Sequence, residues 1–255
     1  MPYVEVRNLV KRFGATVALK GVSLDIEKPL HLLVGPNGSG KSTLINILAG
    51  VRKPSKGYAK VFGIEPYKNV EALRGKVSFL LDGARLPPLA TVEEVLRSFA
   101  DDEGIPWSEV LELCRFLGID YLGKRCRALS AGMAKKVLLA IAFMGSPELT
   151  ILDEPFANLD PLTCRKIVEM IVERIRRGLK TIIATHILPT IPLPRSTSLT
   201  LLIDGEVAIH GDVDELSKRF PRTVSIEPGD RVRLRIDELY AELYEESREG
   251  VEDRS

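Results

Sequence analysis

Two kinds of apolar pattern mark the strands of this chain. Apolar and polar residues alternate over Tyr3–Val6 and again over Val22–Ile26, which predicts strands with one buried face. Short, mainly apolar runs occupy His31–Val34, Leu149–Leu152 and Thr181–Ala184, and such runs are typical of strands buried on both faces. The chain therefore combines half-exposed strands near its start with a deeply buried sheet.

Helical periodicity lies between these strands. Apolar residues recur at helical spacing over Lys41–Leu48, and residues 91–128 predict two or three amphipathic helices with no strand among them. Asp160 is a predicted N-cap, and Pro161 occupies the first position of a further helix. Strands that alternate with helices predict an α/β fold, in which helices cover both faces of a parallel sheet.

Prolines and an Asp-Gly pair organise the last quarter of the chain. The three prolines within residues 188–197 predict a loop. Leu199–Ile203 and Val207–His210 flank the Asp-Gly pair and predict a hairpin, and Val224–Ile236 predicts a smaller one. From Asp237 onward, the mixed charges predict a short helix that frays at its end.

The composition limits the class of protein. Of 255 residues, 45% are hydrophobic and 28% are charged, and the net charge of +1 offers no general attraction for nucleic acid or an anionic membrane. Cys114, Cys126 and Cys164 lack metal-ligand spacing, which indicates reduced structural thiols in an intracellular protein. No signal-peptide pattern is present. The most apolar stretch, Val137–Met144, is far shorter than the roughly 20 residues of a membrane span, so another chain would have to cross the membrane.

A glycine-rich loop, called the phosphate loop below, joins the buried strand ending at Val34 to the next helix. It matches the pattern G-x-x-x-x-G-K-[ST] and consists of Gly35, Pro36, Asn37, Gly38, Ser39, Gly40, Lys41 and Ser42. Glycines let backbone N–H groups converge on phosphate, and the helix N-terminus that follows favours the same anion. Lys41 would reach the β- and γ-phosphates, Ser42 would bind Mg²⁺ and Thr43 would support the helix start. The loop predicts nucleotide binding.

Two carboxylates follow the buried strand Leu149–Leu152. An Asp-Glu pair at such a place usually only marks the end of a strand, but beside a phosphate loop the two acids have separate tasks. Asp153 would hold Mg²⁺ opposite Ser42, and Glu154 would orient or deprotonate the attacking water. Because a carboxylate bound to a metal is a poor base, the two tasks need different side chains. The predicted cofactors are ATP and Mg²⁺.

With these motifs, the chain resembles the ABC (ATP-binding cassette) ATPase family over most of residues 3–217. Four further segments carry the resemblance. Leu129-Ser130-Ala131-Gly132-Met133 is similar to the signature LSGGQ, and Phe156–Asp160 is similar to the D-loop. Thr185-His186 is similar to the switch histidine, and Phe13-Gly14 is similar to the adenine-stacking loop. Ser130 precedes Asp153 by 23 positions (153 − 130), which is the spacing of this family.

The resemblance implies a fold and a division of the chain. The fold is α/β, a P-loop NTPase parallel-sheet core with an antiparallel β subdomain and an inserted α-helical subdomain. The ATPase domain would cover residues 1–221, with the helical subdomain at about residues 83–128. Residues 222–255 would form a small C-terminal extension.

The resemblance also implies roles for individual residues. Catalysis would depend on Glu154, His186 and Lys41. The residues that would contact ATP are Phe13, Gly35, Pro36, Asn37, Gly38, Ser39, Gly40, Lys41, Ser42, Thr43, Asp82, Ser130 and Gly132. The Mg²⁺ ligands would be Ser42, Asp153 and Asp82. Family members dimerise head to tail, so Ser130 would face the γ-phosphate of ATP held by a second ABC ATPase subunit.

Some residues depart from the family pattern. Asp82 stands where glutamine usually contacts Mg²⁺ and the attacking water, Met133 replaces the final glutamine of the signature, and Ala131 replaces a glycine. The whole chain contains no glutamine, so composition explains part of the first two changes. Ala131 places a methyl group where the backbone should approach phosphate, and a heterodimer with one weakened site is one explanation.

Two function classes compete. In the first, the chain powers a separate integral membrane permease from the cytoplasmic face of the membrane; Pro54–Gly63 is similar to the exporter branch of the family. Residues 91–128 would then dock a cytoplasmic helix of the permease, with residues 82–89 as a hinge. The alternative is a soluble ABC ATPase of DNA repair or translation, but the coiled-coil insertion, cysteine cluster or second cassette typical of that class is missing. No nucleic-acid partner is expected, because the sequence shows no basic stripe with interleaved aromatic residues and predicts that Arg174–Arg177 is the solvated end of a helix.

Overall fold

A computed structural model describes residues 1–186, 193–227, 231–235, 238–239 and 242. The strands are β1 (Val4–Phe13), β2 (Thr16–Ile26), β3 (Leu30–Val34), β4 (Lys56–Val61), β5 (Val77–Leu80), β6 (Leu149–Asp153), β7 (Lys180–Thr185), β8 (Leu193–Pro194), β9 (Thr197–Ile203), β10 (Glu206–Asp212), β11 (Val224–Glu227) and β12 (Arg231–Leu234). The helices are α1 (Lys41–Leu48), α2 (Val92–Glu103), α3 (Trp107–Leu117), α4 (Ala131–Phe143), α5 (Pro161–Arg176) and α6 (Val213–Arg219).

A six-stranded sheet forms the centre of the molecule, in the order β10-β9-β3-β7-β6-β5. The five strands from β9 to β5 are parallel, and β10 pairs antiparallel with β9 at one edge. This confirms the predicted α/β fold with a parallel-sheet core. Because the carboxyl ends of parallel strands meet at one edge, the residues that follow β3, β5, β6 and β7 come together there.

Alternate residues of the buried strands point into two separate cores. Leu32 of β3 and Leu152 of β6 join the core that contains α2, α3, α4, α5 and α6. Leu33 and Ile151 point to the opposite side, where α1 and the N-terminal strands pack. The strands are covered on both faces, which explains why their sequences are apolar without alternation.

The N-terminal strands form an antiparallel sheet in the order β2-β1-β4. The predicted strands at Tyr3–Val6 and Val22–Ile26 are confirmed, but β1 and β2 are about twice as long as the pattern predicts. Register shifts occur in β1 between Val6 and Leu9, and Asn8 has a φ of 45°. These bulges interrupt the alternation on which the strand prediction depends. The strand β4 was not predicted.

The helices predicted within residues 91–128 are present as α2 and α3, and no strand lies in that fully described range. Thr91 begins α2 with a capping box: its hydroxyl accepts from the backbone N–H of Glu94 at 3.1 Å, and the Glu94 carboxylate accepts from the Thr91 N–H at 2.7 Å. The predicted helices at Lys41 and Pro161 are also confirmed, and Asp160 caps α5 through the backbone N–H of Thr163.

The C-terminal quarter contains one correction. The predicted loop at residues 188–197 is wrong at Leu193–Pro194, which form β8 and pair with β12, and at Thr197, which begins β9. A proline is tolerated in β8 because this two-residue strand lies at the edge of its sheet. Residues 187–192 lie outside the described residues. The predicted tail helix from Asp237 does too, apart from residues 238, 239 and 242.

Both predicted C-terminal hairpins are confirmed. The first joins β9 to β10 through Asp204 and Gly205, which both have positive φ, as a tight two-residue hairpin requires. The second joins β11 to β12. All three cysteines are buried and carry free thiols. In the described part of the chain, no helix combines the length and the apolarity needed to cross a bilayer.

Candidate nucleotide-binding site

The phosphate loop is packed so closely against its neighbours that two of its glycines have no room for a side chain. A Cβ at Gly35 would lie 2.4 Å from the carbonyl oxygen of Leu202 in β9. Gly40 has a φ of 104°, and a Cβ there would lie 2.7 Å from the carbonyl oxygen of Ala18 in β2. The loop is therefore held between the central and N-terminal sheets, while residues 36–38 at its tip are exposed.

Lys41 points back into the phosphate loop. Its ammonium donates hydrogen bonds to the carbonyl oxygens of Gly35, at 2.6 Å, and Pro36, at 3.1 Å, and the residue is 5% exposed. Burial lowers the pKa of Lys41, and the nearby charges of Glu154 and Asp153 oppose that shift. Such a buried ammonium is a suitable partner for the multiple negative charges of a polyphosphate.

Asp153 ends β6 with a carboxylate that is completely buried. Neither carboxylate oxygen has a hydrogen-bond partner among the described residues. Burial raises the pKa of Asp153 to about 6, the charges of Asp82 and Glu154 reinforce the shift, and the nearby Ser42 hydroxyl opposes it. A buried carboxylate without a partner is costly, and a cation beside Ser42 would remove that cost.

These ligands fit Mg²⁺. In the described part of the chain, no group of three or more His, Cys, Asp and Glu residues is arranged to enclose a metal. Magnesium does not need such a cage, since it is usually held by one or two carboxylates, with phosphate oxygens and water completing its shell. Asp153, Ser42 and the nearby charge of Asp82 meet that requirement. The hydroxyl of Ser39 is also buried, has no hydrogen-bond partner in the part of the chain that the structure describes, and provides a further polar group in the loop.

Glu154 follows Asp153 in a strained conformation, with a φ of 48°. Its carboxylate accepts hydrogen bonds from the Thr185 hydroxyl at 2.9 Å, from the backbone N–H of His186 at 3.1 Å and from His186 Nδ1 at 2.8 Å. The side chain of Glu154 is 16% exposed and that of His186 is 35% exposed. The structure therefore brings the predicted base and the switch histidine together at the sheet edge.

The signature segment, Leu129–Met133, lies at the N-terminus of α4. Ser130 caps this helix by accepting from the backbone N–H of Met133 at 3.2 Å, and both Ser130 and Ala131 are exposed. A Cβ at Gly132 would lie 2.7 Å from the carbonyl oxygen of Asn158 in the D-loop. The helix start is therefore supported by the D-loop and open to solvent. Among the described residues, no hydrogen bond joins Ser130 to the phosphate loop of its own chain.

Phe13 and Asp82 occupy exposed positions at the margin of the site. Phe13 ends β1 with 40% of its surface exposed, and the Lys11 ammonium and the Arg52 guanidinium each lie 5.1 Å from its ring centroid. An exposed ring of this kind can stack on a base. Asp82 is exposed just after β5, and its charge acts on Asp153 and on Lys135.

Lys135 is a site residue that no sequence pattern revealed. It lies on α4 and donates a hydrogen bond from its ammonium to the backbone carbonyl of Glu154 at 3.1 Å. The contact joins residues 19 positions apart (154 − 135), and it depends on how α4 packs beside β6. Helical periodicity can predict α4 but not how α4 packs beside β6. The sequence therefore contains no signal for the contact between Lys135 and Glu154.

Comparisons with known proteins show which proteins this chain is similar to. A family model described as "ABC transporter" matches residues 19–157, and a shorter match to "AAA domain, putative AbiEii toxin, Type IV TA system" covers residues 126–191. The chain is 30% identical over 253 residues to the ABC-type transporter ATP-binding protein EcsA of Bacillus subtilis, and the match covers 96% of this chain and 98% of EcsA. Other curated relatives are much longer, and the chain spans 28% and 9% of two of them.

Solved structures give the same result. One described as an ATP-binding subunit of an ABC transporter superposes with a TM-score of 0.78 at 28% identity, covering 95% of this chain and 99% of the other. A dimeric ATP-binding cassette, MJ0796, in a post-hydrolysis state with ADP and Pi bound, superposes with a TM-score of 0.69 at 25% identity. That match covers 82% of this chain and 98% of the other.

Proposed function

Because this chain belongs to the ABC transporter family of ATP-binding proteins, we propose that it binds ATP with Mg²⁺ and hydrolyses the terminal phosphate. One observation carries the proposal. A buried lysine, a buried carboxylate without a partner and a glutamate paired with a histidine lie together where the parallel strands end. A purely structural buried carboxylate would have a hydrogen-bond partner, and Asp153 has none among the described residues.

Each residue has a defined task in the reaction. Lys41 and the backbone N–H groups of the phosphate loop bind the phosphate oxygens. Asp153 and Ser42 would hold Mg²⁺, which withdraws negative charge from the phosphates when it is bound. Glu154 accepts a proton from water as the water oxygen attacks the terminal phosphorus and the bond to ADP breaks. His186 orients Glu154 through the hydrogen bond from Nδ1 to the carboxylate.

A second ABC ATPase subunit completes the site in this proposal. Ser130 and Ala131 are exposed at the start of α4, where backbone N–H groups and the helix dipole favour an anion. The terminal phosphate of ATP on the other subunit fits this position. The test is light scattering of the Glu154→Gln variant with ATP and Mg²⁺, with Ser130→Glu added as the variant that repels phosphate.

The dimerisation test has distinct outcomes. A mass near twice 28.2 kDa that needs ATP and is lost when Ser130→Glu is added supports a homodimer. A monomer that binds ATP and dimerises only with a second ABC ATPase from the native cells supports a heterodimer. Dimerisation that requires no ATP and is unchanged by Ser130→Glu overturns the proposal that Ser130 faces the ATP of a second subunit.

We also propose that the chain powers a separate integral membrane permease, in the direction of export, from the cytoplasmic face of the membrane. A cavity of about 580 Å³ opens between α3 and α5. Its lining combines the apolar side chains of Leu113, Phe116 and Met170 with the exposed glutamates at 109 and 112, whereas the glutamates at 169 and 173 pair with arginines. A cytoplasmic helix with an apolar face and flanking Lys or Arg residues fits both features.

The partner is identified by a pull-down from the native cells with tagged Glu154→Gln protein, ATP and Mg²⁺. This variant keeps the shape of the site but lacks the base, so it should hold the ATP-bound assembly. A polytopic membrane protein in the eluate, reduced when Glu109 and Glu112 are changed to Lys, supports the permease and its docking cavity. Recovery of ribosomal or DNA-repair components alone overturns transport and leaves ATP hydrolysis in place.

A further inference from the structure

We propose that Arg174, in the cavity between α3 and α5, binds an acidic side chain of the cytoplasmic helix that docks there. The inference deepens the proposed docking and rests on it. The docking helix then has three features: an apolar face, flanking Lys or Arg residues, and one Asp or Glu among its apolar residues.

The cavity is lined by one face of each helix. The lining includes Met170, Arg174 and Arg177 from α5, and Glu109, Glu112 and Phe116 from α3. Each set recurs at helical spacing, so its members share a face of their helix. The two faces carry charges of opposite sign, with an arginine that lies deep in α5 and glutamates that are exposed on α3.

Arg174 is the buried cation of this cavity. It is 5% exposed, whereas Arg177 on the same face is exposed. Its Nη2 donates a hydrogen bond to the carbonyl oxygen of Pro147 at 2.7 Å, and its guanidinium lies 5.5 Å from the ring centroid of Phe143. These contacts hold the guanidinium in one orientation. Burial lowers the pKa of Arg174 to about 10, so the side chain remains charged at pH 7.

No carboxylate neutralises Arg174 in the part of the chain that the structure describes. Its Nε is enclosed without a hydrogen-bond partner, and its Nη2 bonds a backbone carbonyl. The glutamates of α5 in the cavity have other partners. Glu169 pairs with Arg165 at 3.0 Å. Glu173 pairs with Arg177 at 3.1 Å. Because a buried charge without an opposite charge is costly, Arg174 is suited to an anion supplied by another molecule.

The surroundings of Arg174 favour an acid on a helix over a free organic anion. The exposed Glu109 and Glu112 would repel a small molecule whose only charge is negative. A segment that carries both signs satisfies both walls, with its acid at Arg174 and its Lys or Arg residues at the two glutamates. The apolar side chains of the lining then pack against the apolar residues beside the acid. The two charges fix the direction in which the helix lies.

The test uses peptides from the membrane protein that the pull-down recovers. Mass spectrometry identifies that protein, and fluorescent synthetic peptides covering its cytoplasmic segments are titrated into the purified full chain. Anisotropy measures their binding to wild type, to Arg174→Met, which removes the charge, and to Arg174→Lys, which keeps it. The matched control is Arg177→Met, on the same face of α5 but exposed and paired with Glu173. Thermal unfolding and ATP affinity report whether each variant is folded.

We expect one peptide to bind, and its sequence to contain an Asp or Glu between apolar residues. Arg174→Met should weaken its binding about tenfold, because the carboxylate of the peptide is then buried without an opposite charge. Changing that acid to Leu should weaken binding to wild type by a similar factor. The two changes together should bind within about threefold of the original pair, because both charges are removed. Arg174→Lys should lose less than Arg174→Met, and Arg177→Met should change binding less than about threefold.

The outcomes separate this inference from the proposed function. Binding that is lost with Glu109→Lys and Glu112→Lys but unchanged by Arg174→Met overturns the acidic contact and leaves docking in the cavity in place. So does a bound peptide without an acidic residue. A pull-down without a membrane protein, or peptides that respond to none of these changes, contradicts the docking itself. If Arg174→Met does not fold, the peptide with its acid changed to Leu tests the contact on the unaltered chain, and unchanged affinity overturns it.

Discussion

His31 is a polar residue that lies inside the central sheet with no exposed surface. Its Nδ1 hydrogen-bonds with the Ser198 hydroxyl at 2.8 Å and its Nε2 with the Thr200 hydroxyl at 3.1 Å. Thr200 in turn hydrogen-bonds with His210 at 2.8 Å. Burial lowers the pKa of His31 to about 3, and the charge of His210 adds to the shift. The ring is therefore neutral in the folded protein, and its polar atoms are satisfied by neighbouring strands.

This histidine makes stability depend on pH. An unfolded histidine binds a proton near pH 6.5, whereas folded His31 does so only near pH 3, so acid favours the unfolded chain between those values. We expect His31 to lower the free energy of unfolding by roughly 3 kcal/mol between pH 7 and pH 4. Urea unfolding of the wild-type and His31→Gln proteins across that pH range measures this contribution. The difference between their free energies of unfolding should become smaller as the pH falls. Parallel curves would show that His31 stays as basic as an exposed ring.

Gly132 and Ala131 are neighbours with opposite expected responses. A Cβ at Gly132 would lie 2.7 Å from the carbonyl oxygen of Asn158, so Gly132→Ala should cost about 1–3 kcal/mol or displace α4 from the D-loop. Ala131 is exposed at the first position of the same helix, and Ala131→Gly should leave unfolding nearly unchanged while raising ATP turnover. Thermal unfolding and phosphate release measure both variants. Equal unfolding of Gly132→Ala and wild type would refute the close contact.

At the scale of secondary-structure elements, the sequence predicts an element that depends on adjacent residues better than it predicts pairing between distant strands. The phosphate loop and α1 depend on a few adjacent residues, so the pattern from Gly35 to Leu48 was sufficient to place them. The pairing of β8 with β12 joins Leu193 to Val232, and nothing in either segment specifies the other. The contact between Lys135 and Glu154 likewise joins residues that are distant in sequence, and neither segment specifies the other. The sequence was therefore sufficient to propose candidate catalytic groups, but it did not predict the packing that orients them.

The strand β8 and the hairpin of β11 and β12 form a small sheet that packs against the helical core. Leu193 is 5% exposed, whereas Ile226 in the same sheet is 37% exposed. Leu193→Ala should cost about 2–5 kcal/mol, because it opens a cavity against the helical core. Ile226→Ala, the matched control, should cost less than about 1 kcal/mol. Chemical denaturation compares the two, and equal losses would mean that the small sheet does not contribute to the core.

For the whole molecule, the sheet edge is the feature that makes the separate motifs one site. The phosphate loop after β3, the acids after β6 and His186 after β7 are far apart in sequence and meet because their strands are parallel neighbours. The division into residues 1–221 and 222–255 stays a prediction, and the pairing of β8 with β12 ties the second part to the first.

The central claim is that this sheet edge hydrolyses ATP with Glu154 as the base. Its most direct test measures binding of a fluorescent ATP analogue and release of phosphate, for wild-type and Glu154→Gln protein with Mg²⁺. We predict that both bind with similar affinity and that phosphate release falls at least about 100-fold in the variant. Equal rates of phosphate release, or failure of the wild-type protein to bind the nucleotide, would contradict the account.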